Sequence, residues 1–445
     1  MMRLPEHAAR AVAALEAAGY QTWAVGGCVR DSLRGAAPHD WDLCTAARPD
    51  QMQAVFAGGR VLETGLRHGT LTLLTEGGPI EITTFRTDGG YSDGRHPDGV
   101  RFVGSVEDDL ARRDFTIGAM AWHPQRGLCD PYGGLDDLQE GILRAVGDPD
   151  ARFAEDALRI LRGIRFVSRL GFAVERETAA AMRRQAARLN GIAAERVRGE
   201  LTGLLCGRFV HRALRMFADL IGVVLPELTP MFGCAQRNPH HLYDVWEHSI
   251  RAAAQVPADP VLRWAALLHD CGKPACKTVD EQGIGHFYGH PAVSRTIAEQ
   301  IARRLRFSGA DQDRLLLLVE QHDRPLGEND KLVRRRLSQI GEARFRDLLV
   351  LKKGDAVGQG THPEDVAALL ETERRLRAVL QADICFSLHH LAVKGNDLTA
   401  LGLSGPAVGE MLHFLLDAVL DEQAENTREA LLALVRARME EQHEQ

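Results

Sequence analysis

The sequence predicts an α+β chain: a head with a small mixed sheet, followed by an all-helical remainder. Three observations predict it. Short apolar or alternating runs broken by glycine fill the first 90 residues, among them Trp23-Ala24-Val25, Gly69-Thr70-Leu71-Thr72-Leu73-Leu74 and Ile80-Glu81-Ile82-Thr83-Thr84-Phe85-Arg86. From residue 155 onward apolar residues recur at helical spacing, as in Leu158, Leu161 and Ile164. The 445 residues are enough for about three domains by length.

Composition narrows the class. A hydrophobic content of 45% and a charged content of 26% are those of an ordinary globular protein. No run of 18 apolar residues occurs, so no membrane partner is expected. The N-terminal stretch reads as an amphipathic helix with Glu6 in it and no apolar core, unlike a secretory leader. The eight cysteines show no CxxC spacing, which fits reduced thiols and a cytoplasmic location. A net charge of −7 disfavours a nucleic-acid partner unless basic side chains are gathered locally.

The chain is organised around residues 23–42. Trp23-Ala24-Val25 reads as a buried strand, Gly26-Gly27 as a turn, and Cys28 to Leu33 as a helix. Such a turn lets backbone N–H groups at Gly27 approach a phosphate, with Arg30 as an added cation. Asp40 and Asp42 flank Trp41. On a strand they point the same way, about 7 Å apart, and can share a hard cation such as Mg2+. A phosphate cradle beside paired carboxylates is equipment for nucleotidyl transfer. Next, Arg48 to Phe56 predicts a helix opening at Pro49-Asp50, and Val61-Leu62-Glu63 a strand. In the strand that follows, Glu81 is a candidate third metal-facing carboxylate. Residues 87–103, rich in Gly, Asp and Pro, predict a mobile loop.

Residues 23–42 resemble the signature of class II tRNA nucleotidyltransferases and the related bacterial poly(A) polymerases. These belong to the DNA polymerase beta-like nucleotidyltransferase superfamily, so the resemblance implies a head of that fold. It continues at Arg112-Arg113-Asp114-Phe115-Thr116, which is similar to the family's RRDFT motif within an expected helix, 108–117. The resemblance implies that Arg113 contacts the nucleotide phosphates and that the 87–103 loop aids the switch from adding C to adding A. Gly118 departs from the family's usual Asn. In a helix interior a glycine costs about 1 kcal/mol against alanine.

Residues 155–169 predict one helix, with Asp156 and Arg159 three apart and so surface neighbours. Asp accepts hydrogen bonds and Arg donates them. Cytosine and adenine each present an amino donor beside a ring-nitrogen acceptor. Uracil and guanine present the reverse, and a mispaired buried polar group costs about 1–3 kcal/mol. The resemblance implies that Asp156 and Arg159 read CTP and ATP in this way, with Arg162 and Arg165 supporting the nucleotide. Ala193 to Leu201 resembles the family's next helical motif, for which structural work is expected.

From residue 236 histidines accumulate, often at the ends of apolar helices. His248, His269-Asp270, His290, His322 and Asp355 come in an order that can converge on a divalent metal. That order resembles the HD phosphohydrolase fold, which implies His248, His269, Asp270 and Asp355 as ligands of a transition metal. His290 and His322 are candidates for a second ion. Gly354-Asp355 replaces the usual Ala-Asp. In the tail, Gly402 to Gly409 opens a helix whose N–H groups could meet RNA phosphate, Asn426-Thr427 caps a last helix, and MEEQHEQ is expected to fray.

The expected organisation is a nucleotidyltransferase head at 1–145 and a helical neck at 146–230. An HD body at 231–370 and an RNA-binding tail at 371–445 follow. The expected activity is addition of C, C and A to a tRNA 3′ end from CTP and ATP with Mg2+. Two alternatives stay open: poly(A) addition, and an HD phosphohydrolase with a regulatory nucleotide-binding head.

Overall fold

The computed structural model describes residues 2–63, 65–66, 69–89, 100–238, 241–361, 363–382 and 384–443. The chain divides into two compact units, Met1–Pro226 with Arg304–Arg306, and Glu227–Arg303 with Phe307–Gln445.

The first unit is built on strands β1 (Thr22–Val25), β2 (Trp41–Thr45), β3 (Arg60–Leu62), β4 (Thr70–Thr75) and β5 (Gly78–Thr84). A short ribbon follows, β6 (Arg86–Asp88) against β7 (Val100–Phe102). Two further strands, β8 (Ala121–His123) and β9 (Gly127–Cys129), complete a seven-stranded sheet in the order β3-β4-β5-β2-β1-β8-β9. β2 runs parallel to β5 and every other pair in this sheet is antiparallel. The sheet is therefore mixed, as expected. β8 pairs with β1, and β9, which carries no apolar run of its own, pairs in turn with β8.

Helices α1 (Glu6–Ala17), α2 (Gly27–Leu33) and α3 (Pro49–Val55) connect or flank the early strands. α4 (Val106–Ala111) opens on Ser105, whose hydroxyl accepts the Asp108 N–H. It stops at Ala111 instead of running through residue 117. Phe115 bridges to Ala145, and Thr116–Gly118 is a single 3-10 turn. Around it Trp23, Val25, Phe85, Leu110 and Ala121 are buried in one cluster. The predicted 87–103 loop has a paired base in β6 and β7, while residues 90–99 lie outside the described ones.

Helices α5 (Gly134–Glu140), α6 (Pro149–Glu155) and α7 (Leu158–Leu170) come next. The expected single helix over 155–169 is therefore broken. Asp156 is extended, at φ −143° and ψ 103°, and its Oδ1 accepts the Leu158 N–H at 3.0 Å. Aspartate commonly competes with the helical backbone in this way. α7 packs closely on the head because of Gly163, where a Cβ would stand 2.9 Å from the Phe115 ring. α8 (Arg176–Arg184), α9 (Ala194–Leu205), α10 (Val210–Met216) and α11 (Ala218–Val224) finish the unit.

The second unit is helical. α12 (Val245–Gln255), α13 (Pro260–Leu268) and the short α14 (Lys273–Cys276) lead into a two-stranded ribbon, β10 (Thr278–Val279) with β11 (Gly285–His286). α15 (His290–Arg304), α16 (Gly309–Gln321) and the span Asp330–Gln359, broken at Gly341 with φ 78°, follow. α17 (Pro363–Gln381), α18 (Gly395–Thr399), α19 (Pro406–Leu420) and α20 (Arg428–His443) complete it. The tail has its own buried cluster, including Leu391, Val393, Leu415, Leu431 and Val435. α20 continues to His443, so most of the MEEQHEQ end is helical and its last two residues lie outside the described ones. No helix among the described residues is long and apolar enough to cross a membrane.

Candidate active site and metal centre

In the head, β1 delivers the chain to Gly26, which turns it at φ 78°. The Gly26 N–H donates to the Met120 carbonyl at 3.1 Å. A Cβ on Gly26 would stand 2.9 Å from Arg113 Nη1, so this position requires glycine twice over, by conformation and by space. Gly27, the expected cradle residue, is less constrained: its Cβ would meet only Arg30 Nη2, at 3.8 Å. α2 then lies against the acidic strand, with Cys28 Sγ 3.8 Å from the Asp42 carbonyl oxygen.

Asp42 is the second residue of β2 and pairs in register with Glu81 on parallel β5. Register partners share a face, so both carboxylates stand on the same side of the sheet. Asp40 precedes β2 and lies in a bend, a correction to the expectation that both aspartates ride one strand. The three acids still feel one another. Burial, then the charges of Asp40 and Glu81, push Asp42 up to about 6, against the pull of Arg113. Carboxylates held in mutual repulsion are suited to a divalent cation. Their cage is open: among the described residues, metal-ligating atoms gather within 4.8 Å of one another in the second unit, at two groups.

Arg113 is held from behind. Its Nη1 donates to the Gly118 carbonyl at 3.4 Å, and its Nη2 lies 3.4 Å from Oδ2 of Asp109. Asp109 is fully buried and also takes Arg112 Nη2 at 2.9 Å. Asp109 was missed at the level of sequence, although its spacing of three and four from two arginines was a signal. A Cβ at Gly118 would lie 3.7 Å from Asp114 Oδ1, an ordinary contact, and the residue ends a 3-10 turn rather than lying inside a helix.

Arg30 pairs with its neighbour Asp31 at 2.8 and 2.9 Å and lies 5.4 Å over the Phe166 ring. Arg165 lies 5.3 Å from the same ring and pairs with Glu200 at 2.5 Å. Arg162 faces half-buried Asp114 at 3.2 Å. Burial, then the guanidiniums of Arg165 and, more weakly, Arg30, pull Arg169 below its usual range. Positive charge is thus concentrated on α7 despite the net −7.

The expected base-reading pair is not a surface pair. Arg159 is 8% exposed. It donates to Glu155 Oε2 at 2.6 Å, to the Arg152 carbonyl at 3.1 Å and to the Arg112 carbonyl at 3.2 Å. Asp156 Oδ2 instead accepts Arg196 Nη2 at 2.7 Å. After the break before α7 the two side chains have different partners. Arg196, read from sequence as structural, holds Asp156 directly.

In the second unit the predicted histidines and aspartates meet. His248 Nε2 is 3.1 Å from His269 Nε2, 3.3 Å from Asp270 Oδ2 and 3.0 Å from Asp355 Oδ1. His290 Nε2 is 3.2 Å from both His322 Nε2 and Asp270 Oδ1. Asp270 therefore presents one oxygen to each histidine pair. The Nδ1 atoms of His269, His290 and His322 face the carbonyls of Ala266, Phe287 and Val319 at 2.7–2.9 Å. Nδ1–H donation there leaves the Nε2 lone pairs directed inward, the form that binds metal. Burial opposes charge on His269, but Asp270 and Asp355 overrule it and push it up to about 10. The same negative field favours a divalent cation, so the donor set fits one. Lys273 Nζ lies 2.6 Å from Asp270 Oδ2. His241, not singled out from sequence, is driven down to about 3 by burial, Lys273 and His248.

The profile described as "Poly A polymerase head domain" matches residues 22–144, "Probable RNA and SrmB-binding site of polymerase A" matches 171–232, and "HD domain" matches 240–348. The chain is 48% identical over 432 residues to the CCA-adding enzyme of Lactiplantibacillus plantarum, covering 95% of this chain and 93% of that one. It is 32% identical over 424 residues to that of Limosilactobacillus fermentum, covering 94% and 93%. Its fold is similar to the crystal structure of Bacillus stearothermophilus CCA-adding enzyme in complex with CTP, with a TM-score of 0.74, 29% identity and 100% of both chains covered. At 19% identity and a TM-score of 0.60, the Thermotoga maritima CCA-adding enzyme complexed with tRNA shares the fold over 98% of this chain and 96% of that one.

Proposed function

The chain belongs to the CCA-adding enzymes, which are nucleotidyltransferases, and from that premise we propose how its residues carry the reaction. The head adds C, C and A to a tRNA 3′ end from CTP and ATP and releases pyrophosphate. Asp40, Asp42 and Glu81 hold Mg2+. The chemistry a bound Mg2+ supplies is activation of the RNA 3′-hydroxyl and neutralisation of charge on the leaving pyrophosphate. The Gly26-Gly27 turn, Arg30 and Arg113 receive the triphosphate. Asp156 and Arg159 read the base edge, and Arg162 and Arg165 supply positive charge along α7.

The observation that carries this reading is the register of Asp42 with Glu81, beside a glycine turn closed by Arg113. A head that only bound nucleotide would have no use for a carboxylate, Asp42, pushed up by burial and by its acidic neighbours. Poly(A) addition would use the same parts, and full-length similarity to CCA-adding enzymes favours the tRNA substrate. The test is incorporation of labelled CTP and ATP into tRNA lacking CCA, beside an unstructured RNA. Three-residue extension of the tRNA is expected. Unlimited A addition to either RNA would overturn it.

In the HD body, His248, His269, Asp270 and Asp355 would hold a transition metal, with His290 and His322 at a second position; the chemistry it would supply is activation of water toward a phosphate ester such as a 2′,3′-cyclic end. The segments 1–145, 146–230, 231–370 and 371–445 then serve as head, neck, HD body and RNA-binding tail. The eight cysteines, with no CxxC spacing among them, support a cytoplasmic setting.

A further inference from the structure

We propose that Tyr288, laid flat on His286 at the rim of the HD cavity, is a stacking shelf for the nucleobase of the ester held there. The inference rests on the reading of that cluster as a phosphoester site and adds the residue that would recognise the base of the ester. A cavity of about 320 Å3 is lined by Asp270, Lys273, His286, Tyr288, His290 and His322, among others. The cluster and the shelf therefore border one space.

Tyr288 is 81% exposed. Tyrosine normally buries much of its ring, so an uncovered aromatic face beside a buried ionic cluster is a feature to explain. The ring has a neighbour that orients it. It is parallel to His286 within 6°, with centroids 5.5 Å apart, and its hydroxyl is 3.4 Å from His286 Nδ1. His286 Nε2 is in turn fixed to Asp280 Oδ2 at 2.8 Å, and Asp280 accepts the N–H groups of Gln282 and Ile284 at 2.9 Å. This hydrogen-bonded turn supports one face of the aromatic pair and leaves the other to solvent. Gly289, at φ 77°, then turns the chain so that His290, two residues beyond Tyr288, enters the cluster. One tight turn thus joins a π-surface to phosphate-binding groups, including the buried ammonium of Lys273.

Aromatic stacking accepts any base, because every base has a π-face. The site should therefore favour nucleotides over base-free phosphates with little choice among bases. The ligand chemistry is shared by a free nucleotide and an RNA 3′ end. The experiment uses the full chain in Mn2+ without added nucleoside triphosphate, which a base-tolerant shelf would also take. Binding of adenosine 2′,3′-cyclic phosphate, of a short RNA with a 2′,3′-cyclic end and of base-free inorganic phosphate, and turnover of the two esters, are compared in wild type, Tyr288→Ala and Tyr288→Phe. Tyr288→Ala should weaken binding of the base-bearing ligands about tenfold. It should leave inorganic phosphate unchanged, and Tyr288→Phe should retain the wild-type affinity. The tighter of the two base-bearing ligands identifies the source. Equal loss for phosphate and nucleotide, no loss for either, or no nucleotide binding by wild type overturns the shelf. Nucleotide bound through Tyr288 but never hydrolysed would leave the shelf standing and remove the hydrolytic reading. Turnover insensitive to Tyr288 would do the reverse.

Discussion

Arg113 Nη1 occupies the space that a side chain on Gly26 would need, 2.9 Å from an ideal Cβ. The turn proposed to take the nucleotide phosphates and the cation proposed to meet them are therefore one packed unit. Asp109, buried beneath, keeps Arg113 there.

The contrast between the two glycines is testable. Gly26→Ala must place a side chain at φ 78° and displace Arg113, with a backbone cost of about 1–2 kcal/mol. CTP incorporation should fall by about two orders of magnitude, since misplacement by about 1 Å is enough for that. Gly27→Ala should stay within several-fold of wild type. Steady-state kinetics with the melting temperature of each variant checks both, and equal tolerance at the two positions would refute the geometry.

Asp42→Asn should abolish transfer yet stabilise chelator-treated protein at pH 7. The sign follows from Asp42 standing at about 6 against 3.8 ordinarily. A carboxyl whose folded pKa is raised loses folding stability as pH climbs from about 4 to about 6 and carries the full penalty above. Removing the charge should recover about 1–3 kcal/mol, at about 1.4 kcal/mol per pKa unit. Denaturant melts at pH 3.5 and pH 7 test it: the variant's gain should appear only at the higher pH.

Arg196 should govern base choice without touching the base, by holding Asp156 at 2.7 Å. Asp156→Ala should relax selection of C and A over U and G more than it slows total incorporation. Arg196→Ala should relax it in the same direction, and the double variant should be no worse than the single ones, as for residues acting as a unit. Competition assays with all four nucleotides provide the measurement. Additive losses, or unchanged selectivity in Arg196→Ala, would refute the coupling.

In the HD body, Asp355→Asn removes one carboxylate from the His248–His269 side while leaving the Lys273–Asp270 pair intact. Bound transition metal, read by elemental analysis, should fall at least tenfold, in line with the 10–100-fold effects of metal-site changes. Hydrolysis of model phosphodiesters should fall with it. CTP incorporation, a property of the head, should be retained. Metal content at background in wild type would end this assignment.

Most of the parts could be named from the chain alone. The Gly-Gly turn, the Asp40–Asp42 pair, the mixed sheet, the helical remainder and the histidine set are encoded by local spacing and by side-chain chemistry. The register that places Glu81 beside Asp42 was not readable, because strand pairing joins residues about 40 apart through backbone hydrogen bonds that leave no mark on composition. Nor was the break at Asp156, where one side-chain-to-backbone bond ends a helix that periodicity would have continued.

Residue identity therefore specified which groups are available: acids for a cation, glycines for a turn, arginines for phosphate, imidazoles for a metal. Folding specified which of them meet. It put Arg113 against Gly26, Arg196 rather than Arg159 on Asp156, and Asp270 between two histidine pairs. The physical reason is range. Periodicity and turn chemistry act within a few residues, whereas ion pairs, close approaches and burial are decided by neighbours far away in the chain.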